Sequence, residues 1–306
     1  MSRYGLSIWS SPDQAESDIV FVHGLRGHRE QTWTKDGVLW PRDLLAPDLK
    51  KCRIMSFGYD SAIVHSDTAE VTQGSLATVA RSLCSSLSTE RSAPEIAGRP
   101  ILLVAHSLGG LVCATAVVLG DRNAAGDNVE VIAQCIKGII FLGTPFGGSN
   151  LAKWAELVRR IFDTMKKTDQ TTLKSLHQNS HELKDLGSAF SDVVRKRNNG
   201  QNKIKIVFFY EELDTYGQRV VEEKSASYPG LGETLPLRSN HLNMCKFASK
   251  DENEYKIVRA KILELVSDKN KNTVAVKPFS TTFNNYDQVI NQSGGDMNIG
   301  QQSFQF

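Results

Sequence analysis

Hydrophobic and polar positions follow two rhythms along the chain. Five short stretches, "SDIVFVHG" (17–24), "CRIMSFGYD" (52–60), "PILLVAHS" (100–107), "IKGIIFLGTP" (136–145) and "KIKIVFFYEE" (203–212), are nearly continuous apolar runs that end in Gly, Ser, Pro or an acid. Such runs predict strands buried on both faces. Between them, residues 69–87, 109–120 and 151–165 carry apolar residues at helical spacing. In the last of these, Leu151, Trp154, Leu157, Val158, Ile161, Phe162 and Met165 fall on one face. Strands alternating with helices predict an α/β fold, a mainly parallel sheet covered by helices on both faces.

Two segments depart from the alternation. Residues from about 150 to 200 are helical in pattern and rich in charge, and they fall between two core strands, so they predict a cap or lid over the strand ends. From about 268 the periodicity dissolves, and the chain closes on "NQSGGDMNIGQQSFQF" (291–306), rich in Asn, Gln, Gly and Ser and without Lys or Arg. The reading is a folded unit over 1–267 with a cap insertion, followed by a disordered tail over 268–306.

Composition narrows the classes. A chain of 306 residues, 40% hydrophobic and 23% charged, lies in the globular range, and its formal net charge of +2 is spread out. The densest basic cluster, "VVRKRNNGQNKIK" (193–205), has no interleaved aromatics and reads as a solvated turn, not a nucleic-acid surface. Cys52, Cys84, Cys113, Cys135 and Cys245 show no CxxC spacing, which predicts reduced thiols, mostly in the core, and no metal centre. "GTPFGGSN" (143–150) lacks the G-K-[ST] of a phosphate loop and reads as the turn from a strand into the cap, bordering the active site. No cofactor is called for. The N-terminus has no continuous apolar leader and no run of about 18 apolar residues occurs, so a soluble cytoplasmic protein is expected.

"LLVAHSLGGLV" carries the chemistry. A buried strand runs into Ser107 and straight out into a helix from Gly109, an arrangement that lifts a serine hydroxyl above the sheet on a tight turn. The pattern is A-x-S-x-G, with Ala105 where a Gly is usual; one methyl group is sterically tolerable there. A serine needs a base, and the chain has seven histidines. His106 adjoins Ser107 and would point away from it, His23 ends an earlier strand, His28 and His65 sit in polar loops, and His177 and His181 sit in the cap. His241, in "LRSNHLNMCKF", follows the last of the strand runs and precedes the final helix, where the order Ser, acid, His places the base. The acid should lie between, with Glu211, Glu212 and Asp214 as candidates. Alternation along a strand turns Glu211 and Glu212 opposite ways; Glu211 is the first choice and Asp214 the second. The backbone N–H groups of Leu108, after the nucleophile, and of Leu25, after "FVHG", would hold an oxyanion, and Gly24 allows the backbone to approach closely.

"VFVHGLRGHREQTWTKDGVLWPRDLLAPDL", "RIMSFGYDS", "LLVAHSLGGLV", "IIFLGTPFGGS" and "NHLNMCKF", in that order, resemble the lipase-like serine α/β hydrolases related to GPI inositol deacylases. The likeness is to the fungal branch found as an N-terminal domain of NLR-type immune receptors or as a free protein beside them, the SesB type. It covers roughly residues 15–265. It implies an α/β-hydrolase fold with Ser107 as nucleophile, His241 as base and Glu211 as acid; the substrate is not given by the resemblance, and it is the apolar cap that suggests an ester with an acyl or lipid part. Many relatives have His after "GTP" where this chain has Phe146, which alters the expected pocket. The resemblance also implies a short amyloid signalling motif within 284–306, a partner receptor of the NLR type, and self-assembly; contact with a membrane stays open.

Overall fold

The computed structural model describes residues 3–61, 73–146, 180–217 and 219–267. Its centre is a seven-stranded sheet of β1 (Gly5–Ser10), β2 (Ser17–Val22), β5 (Cys52–Gly58), β6 (Ile101–His106), β7 (Ile136–Leu142), β8 (Lys205–Glu211) and β9 (Glu233–Leu237), in the order β1-β5-β2-β6-β7-β8-β9. β1 pairs antiparallel to β5 and every other pair is parallel. A separate small hairpin joins β3 (Thr34–Lys35) to β4 (Val38–Leu39).

The apolar runs fill two cores at once because strand side chains point alternately to the two faces. Val20 and Val22, Leu103 and Ala105, Ile139 and Phe141, and Ile206 and Phe208 lie in one buried cluster. Their neighbours Ile19 and Phe21, Leu102 and Val104, Ile140 and Leu142, and Val207 and Phe209 lie in the other. The first face is covered by α1 (Gln73–Glu90), α3 (Leu108–Arg122) and α4 (Asn128–Cys135), and the second by α7 (Asn253–Ser267) together with Trp33 and Trp40 from the hairpin region. Short helices α2 (Pro94–Ala97) and α6 (Glu223–Ala226) complete the connections.

Three expectations are corrected. α5 (Ser180–Asn199) falls in the stretch assigned to a cap, yet Leu186, Phe190, Val193 and Val194, spaced i, i+4, i+7 and i+8, are buried in the first core. This half of the segment is a core helix of the sheet layer, because one apolar stripe suffices for burial whatever the charge on the other faces. Residues 147–179, which include the amphipathic stretch 151–165, lie outside the described residues, as does the tail from 268 onward. Second, the basic stretch 193–205 is not wholly solvated. Arg197 donates to the carbonyls of Ala133 (3.0 Å), Ile136 (2.6 Å) and Asn202 (3.0 Å), and burial lowers its pKa to about 10. Third, the sheet gains β1 and β9 at its two edges, beyond the five runs predicted. All five cysteines are buried and none forms a disulfide.

At the end of the sheet where the parallel strands begin, Asp18 is fully buried between Arg53, both of whose bonds to it are 3.0 Å, and Arg91 and Arg99. Three guanidiniums on one carboxylate keep the buried charge satisfied and lock α1 and the start of β6 to the strand origins. No helix among the described residues is long and apolar enough to cross a membrane.

Candidate active site

Parallel strands bring their C-terminal ends to one edge of the sheet, where the backbone leaves the ladder and side chains from distant parts of the sequence converge. Ser107 follows β6 immediately. It stands at φ 54°, ψ −124°, a left-handed conformation that a β-carbon disfavours, and is 3% exposed. Its surroundings over-determine that strain. The Ser107 N–H donates to the Leu142 carbonyl at 2.9 Å, and the Gly110 N–H donates back to the Ser107 carbonyl at 3.0 Å. The two glycines that follow are required by packing: a Cβ on Gly109 would lie 2.4 Å from the His23 and Val22 carbonyl oxygens, and one on Gly110 would overlap Thr144. The helix begins at Leu108, one residue before the sequence reading placed it.

His241 and Glu211 come together from the loop after β9 and the end of β8. The His241 Nδ1 lies 3.2 Å from Glu211 Oε2, with both side chains buried. Glu211 Oε1 accepts from the backbone N–H groups of Val220 (2.7 Å) and Val221 (2.5 Å). Each carboxylate oxygen therefore has a donor, which keeps a buried charge satisfied. A carboxylate can only accept here, so the His241 proton sits on Nδ1 and leaves Nε2 with its lone pair. Of the three candidate acids, Glu212 and Asp214 are exposed, and Asp214 lies 3.7 Å from Arg219.

β7 links the serine to this pair. Leu142 accepts from the Ser107 amide, and the next residue, Gly143 (φ +59°), lies so close to His241 that a Cβ would be 3.0 Å from Nδ1 and 2.7 Å from Met244 Sδ. Only glycine fits there, on grounds of both conformation and space. His106 does not join the pair as a base. Its Nε2 lies 2.9 Å from the His241 carbonyl oxygen and donates to it, and its ring stands 5.1 Å from the His241 ring. The histidine next to the serine thus tethers the loop that carries the other histidine. Thr215 Oγ1 accepts from the His241 N–H at 3.0 Å and completes the tether.

The two expected oxyanion donors flank the serine. Gly24 packs against it so closely that a Cβ would lie 2.7 Å from the Ser107 Cβ and 2.9 Å from the His106 oxygen. The turn that then presents Leu25 is closed by the Gly27 N–H donating to the Gly24 carbonyl at 3.0 Å. Leu108 opens α3, and an N-terminal amide has no carbonyl within its own helix. His23 stacks on Tyr59 at 4.4 Å, and the Tyr59 hydroxyl donates to the His23 carbonyl at 2.9 Å, which fixes the entry to this turn. Phe146 is buried against Phe141, Phe190 and Phe208. No group of His, Cys, Asp or Glu fit to hold a metal occurs among the described residues.

Thr215 and the amides of Val220 and Val221 escaped the sequence reading. Backbone N–H groups carry no signature in sequence, and a threonine in an acidic loop reads as surface.

Burial pushes the His106 pKa down to about 3 and that of His23 to about 4. Both imidazoles are neutral when folded and protonate near 6.5 when unfolded. Their stabilisation is therefore complete above pH 6.5 and is lost as the pH falls from there toward 4 and 3. Each contributes a slope of up to about 1.4 kcal/mol per pH unit in that window. The melting temperature is expected to drop steeply between pH 6.5 and 5, before most carboxylates titrate; a flat profile over that interval contradicts the neutral, buried state of the two rings.

The arrangement defines a class. The alpha/beta hydrolase family matches residues 19–233, more than half of the sequence, and the chain belongs to that family. Among curated proteins, SERAC1 of Bos taurus is 29% identical over 262 residues, covering 77% of this chain and 37% of the bovine protein. SERAC1 of Danio rerio is 29% identical over 268 residues, covering 79% of this chain and 38% of its own length. The chain thus spans little more than a third of the length of these relatives. Among solved structures, a carboxyl esterase from Bacillus coagulans aligns with a TM-score of 0.46 at 12% identity, covering 85% of this chain and 92% of that one.

Proposed function

We propose that the chain is a serine hydrolase that cleaves carboxylic esters, with Ser107 as nucleophile, His241 as base and Glu211 as the acid that orients it. The observation that carries this reading is the buried His241 Nδ1 to Glu211 Oε2 contact of 3.2 Å, next to a serine held at φ 54°. In the first step Ser107 Oγ attacks the ester carbonyl as its proton passes to His241 Nε2, and the imidazolium is stabilised by Glu211. The carbonyl electrons move to oxygen, which takes hydrogen bonds from the Leu25 and Leu108 amides at the positive end of α3. His241 then returns the proton to the departing alkoxide, leaving an acyl-serine. Water, deprotonated by the same nitrogen, releases the acid and restores Ser107.

A neutral fluorophosphonate tests this on the purified chain: it is expected to add covalently at one site, mapping by mass spectrometry to the peptide that contains Ser107. Modification elsewhere, or none, overturns the assignment. An acyl or lipid substrate is the finer expectation that follows from the apolar cap expected after β7.

A second reading is favoured by the composition of 291–306, low in charge and rich in amides, which suits in-register stacking of identical segments. On this reading the tail is an assembly handle that joins the hydrolase to an NLR-type receptor or to further copies of itself. A peptide of residues 284–306 is then expected to form thioflavin-binding fibres that seed fresh peptide. Peptide that stays monomeric at high concentration, seeded or not, removes this reading and leaves the hydrolase untouched.

A further inference from the structure

A cleft of about 530 Å³ shares its walls with the proposed catalytic centre: Leu25 and His106 line one side, and Leu242 and Lys246, just past His241, line the other. The charged side chains among its described lining residues have one sign. Among the described lining residues, Arg26 and Lys246 are cations, His28 lies beside them, and there is no Asp or Glu. His28 is held in a donor tautomer, because its Nδ1 accepts from the Glu30 N–H at 3.1 Å and leaves the proton on Nε2. Glu30 itself stands 3.9 Å from Arg29. After burial, the charge of Lys246 adds to the lowering of the His106 pKa.

A cleft with walls of low dielectric and lining charges of one sign concentrates counter-charged ligands. We infer that this cleft selects esters carrying an anionic oxyacid group, carboxylate or phosphate, on the flank that enters it, with Arg26 and Lys246 as the specificity-determining cations. The inference rests on the ester-hydrolase reading and replaces the neutral acyl chain with a charged partner. Arginine meets such a group with a two-pronged fork and lysine with a point charge, so the two together accept either anion.

The test compares kcat/KM of the full chain on two matched pairs. One is 4-nitrophenyl hemiglutarate against 4-nitrophenyl pentanoate, with a carboxylate on the acyl side. The other is the butanoate of 3-hydroxypropyl phosphate against propyl butanoate, with a phosphate on the alcohol side. At low ionic strength the anionic member is expected to be preferred about tenfold or more in at least one pair, and the pair that responds identifies the anion and the flank. The preference is expected to fall below about threefold in the Arg26→Gln, Lys246→Gln double variant, and also in about 0.5 M NaCl, where exposed charges are screened. Equal use of both members in both pairs overturns the inference, as does a preference that survives the double substitution. Fluorophosphonate labelling separates the two levels. With Ser107 labelled and no charge preference, the cleft inference alone falls; with Ser107 unlabelled and no ester cleaved, the hydrolase reading falls and takes the inference with it.

Discussion

Ser107→Ala is expected to lower ester hydrolysis by at least about 10⁴-fold and to abolish fluorophosphonate labelling, while the melting temperature changes little. The expected loss corresponds to about 5 kcal/mol of transition-state stabilisation. Alanine keeps the β-carbon, so the backbone at φ 54° experiences the same steric cost in both proteins, and the bonds that hold the turn come from the main chain. The substitution thus removes the hydroxyl and leaves the scaffold. Activity on a 4-nitrophenyl ester, read beside a melting curve, checks both halves. A variant that hydrolyses the ester at the wild-type rate sinks the assignment of the nucleophile.

Glu211→Gln carries the second large effect, a loss of about 10⁴-fold in kcat. The glutamine carbonyl can still accept from the Val220 and Val221 amides, which retains the fold of that loop. Its amide nitrogen would then face His241 Nδ1 and donate to it, moving the imidazole proton to Nε2. A base with its proton on Nε2 cannot take one from Ser107. By contrast, Glu212→Gln and Asp214→Asn are expected to stay within about twofold of wild type, since both carboxylates are exposed and surface substitutions of this kind change little. Steady-state kinetics on the three variants discriminates them. Retained activity in Glu211→Gln together with collapse in Asp214→Asn would reassign the acid.

Much of the fold could be read in the sequence because burial on both faces leaves a continuous mark. The five apolar runs correspond to β2, β5, β6, β7 and β8, the interior of the sheet. The strands that escaped notice are the two edges. β1, "GLSIWS", is only partly buried, and β9, "ETLPL", carries Pro236 and a half-exposed face, so neither has the run that marks an inner strand. α5 differs from its sequence appearance for the opposite reason: its stretch is rich in charge, although its single apolar stripe decides where the helix packs.

The candidate site divides along the same line. Ser107 announces itself locally, since strand, serine and paired glycines are contiguous and the steric demands that select them act within a few residues. Glu211, Glu212 and Asp214 look alike in sequence because nothing local separates three carboxylates on one turn. What separates them is the arrival of the Val220 and Val221 amides and of His241, 9 to 30 residues further on. Likewise, His106 reads as a bystander until the loop of His241 is seen hanging from its Nε2, 135 residues away.

The sequence by itself therefore determined the alternation of strand and helix, which runs form the interior strands of the sheet, and the tight turn at Ser107, because those depend on period and on nearest-neighbour sterics. Only the tertiary structure decided which carboxylate meets His241, which histidine serves as a tether, that residues 180–199 belong to the core, and that the charged residues described around the cleft beside Leu25 have one sign. Each of these is a meeting of groups distant in the chain, and its energy comes from burial and partner geometry that exist only after the sheet has assembled.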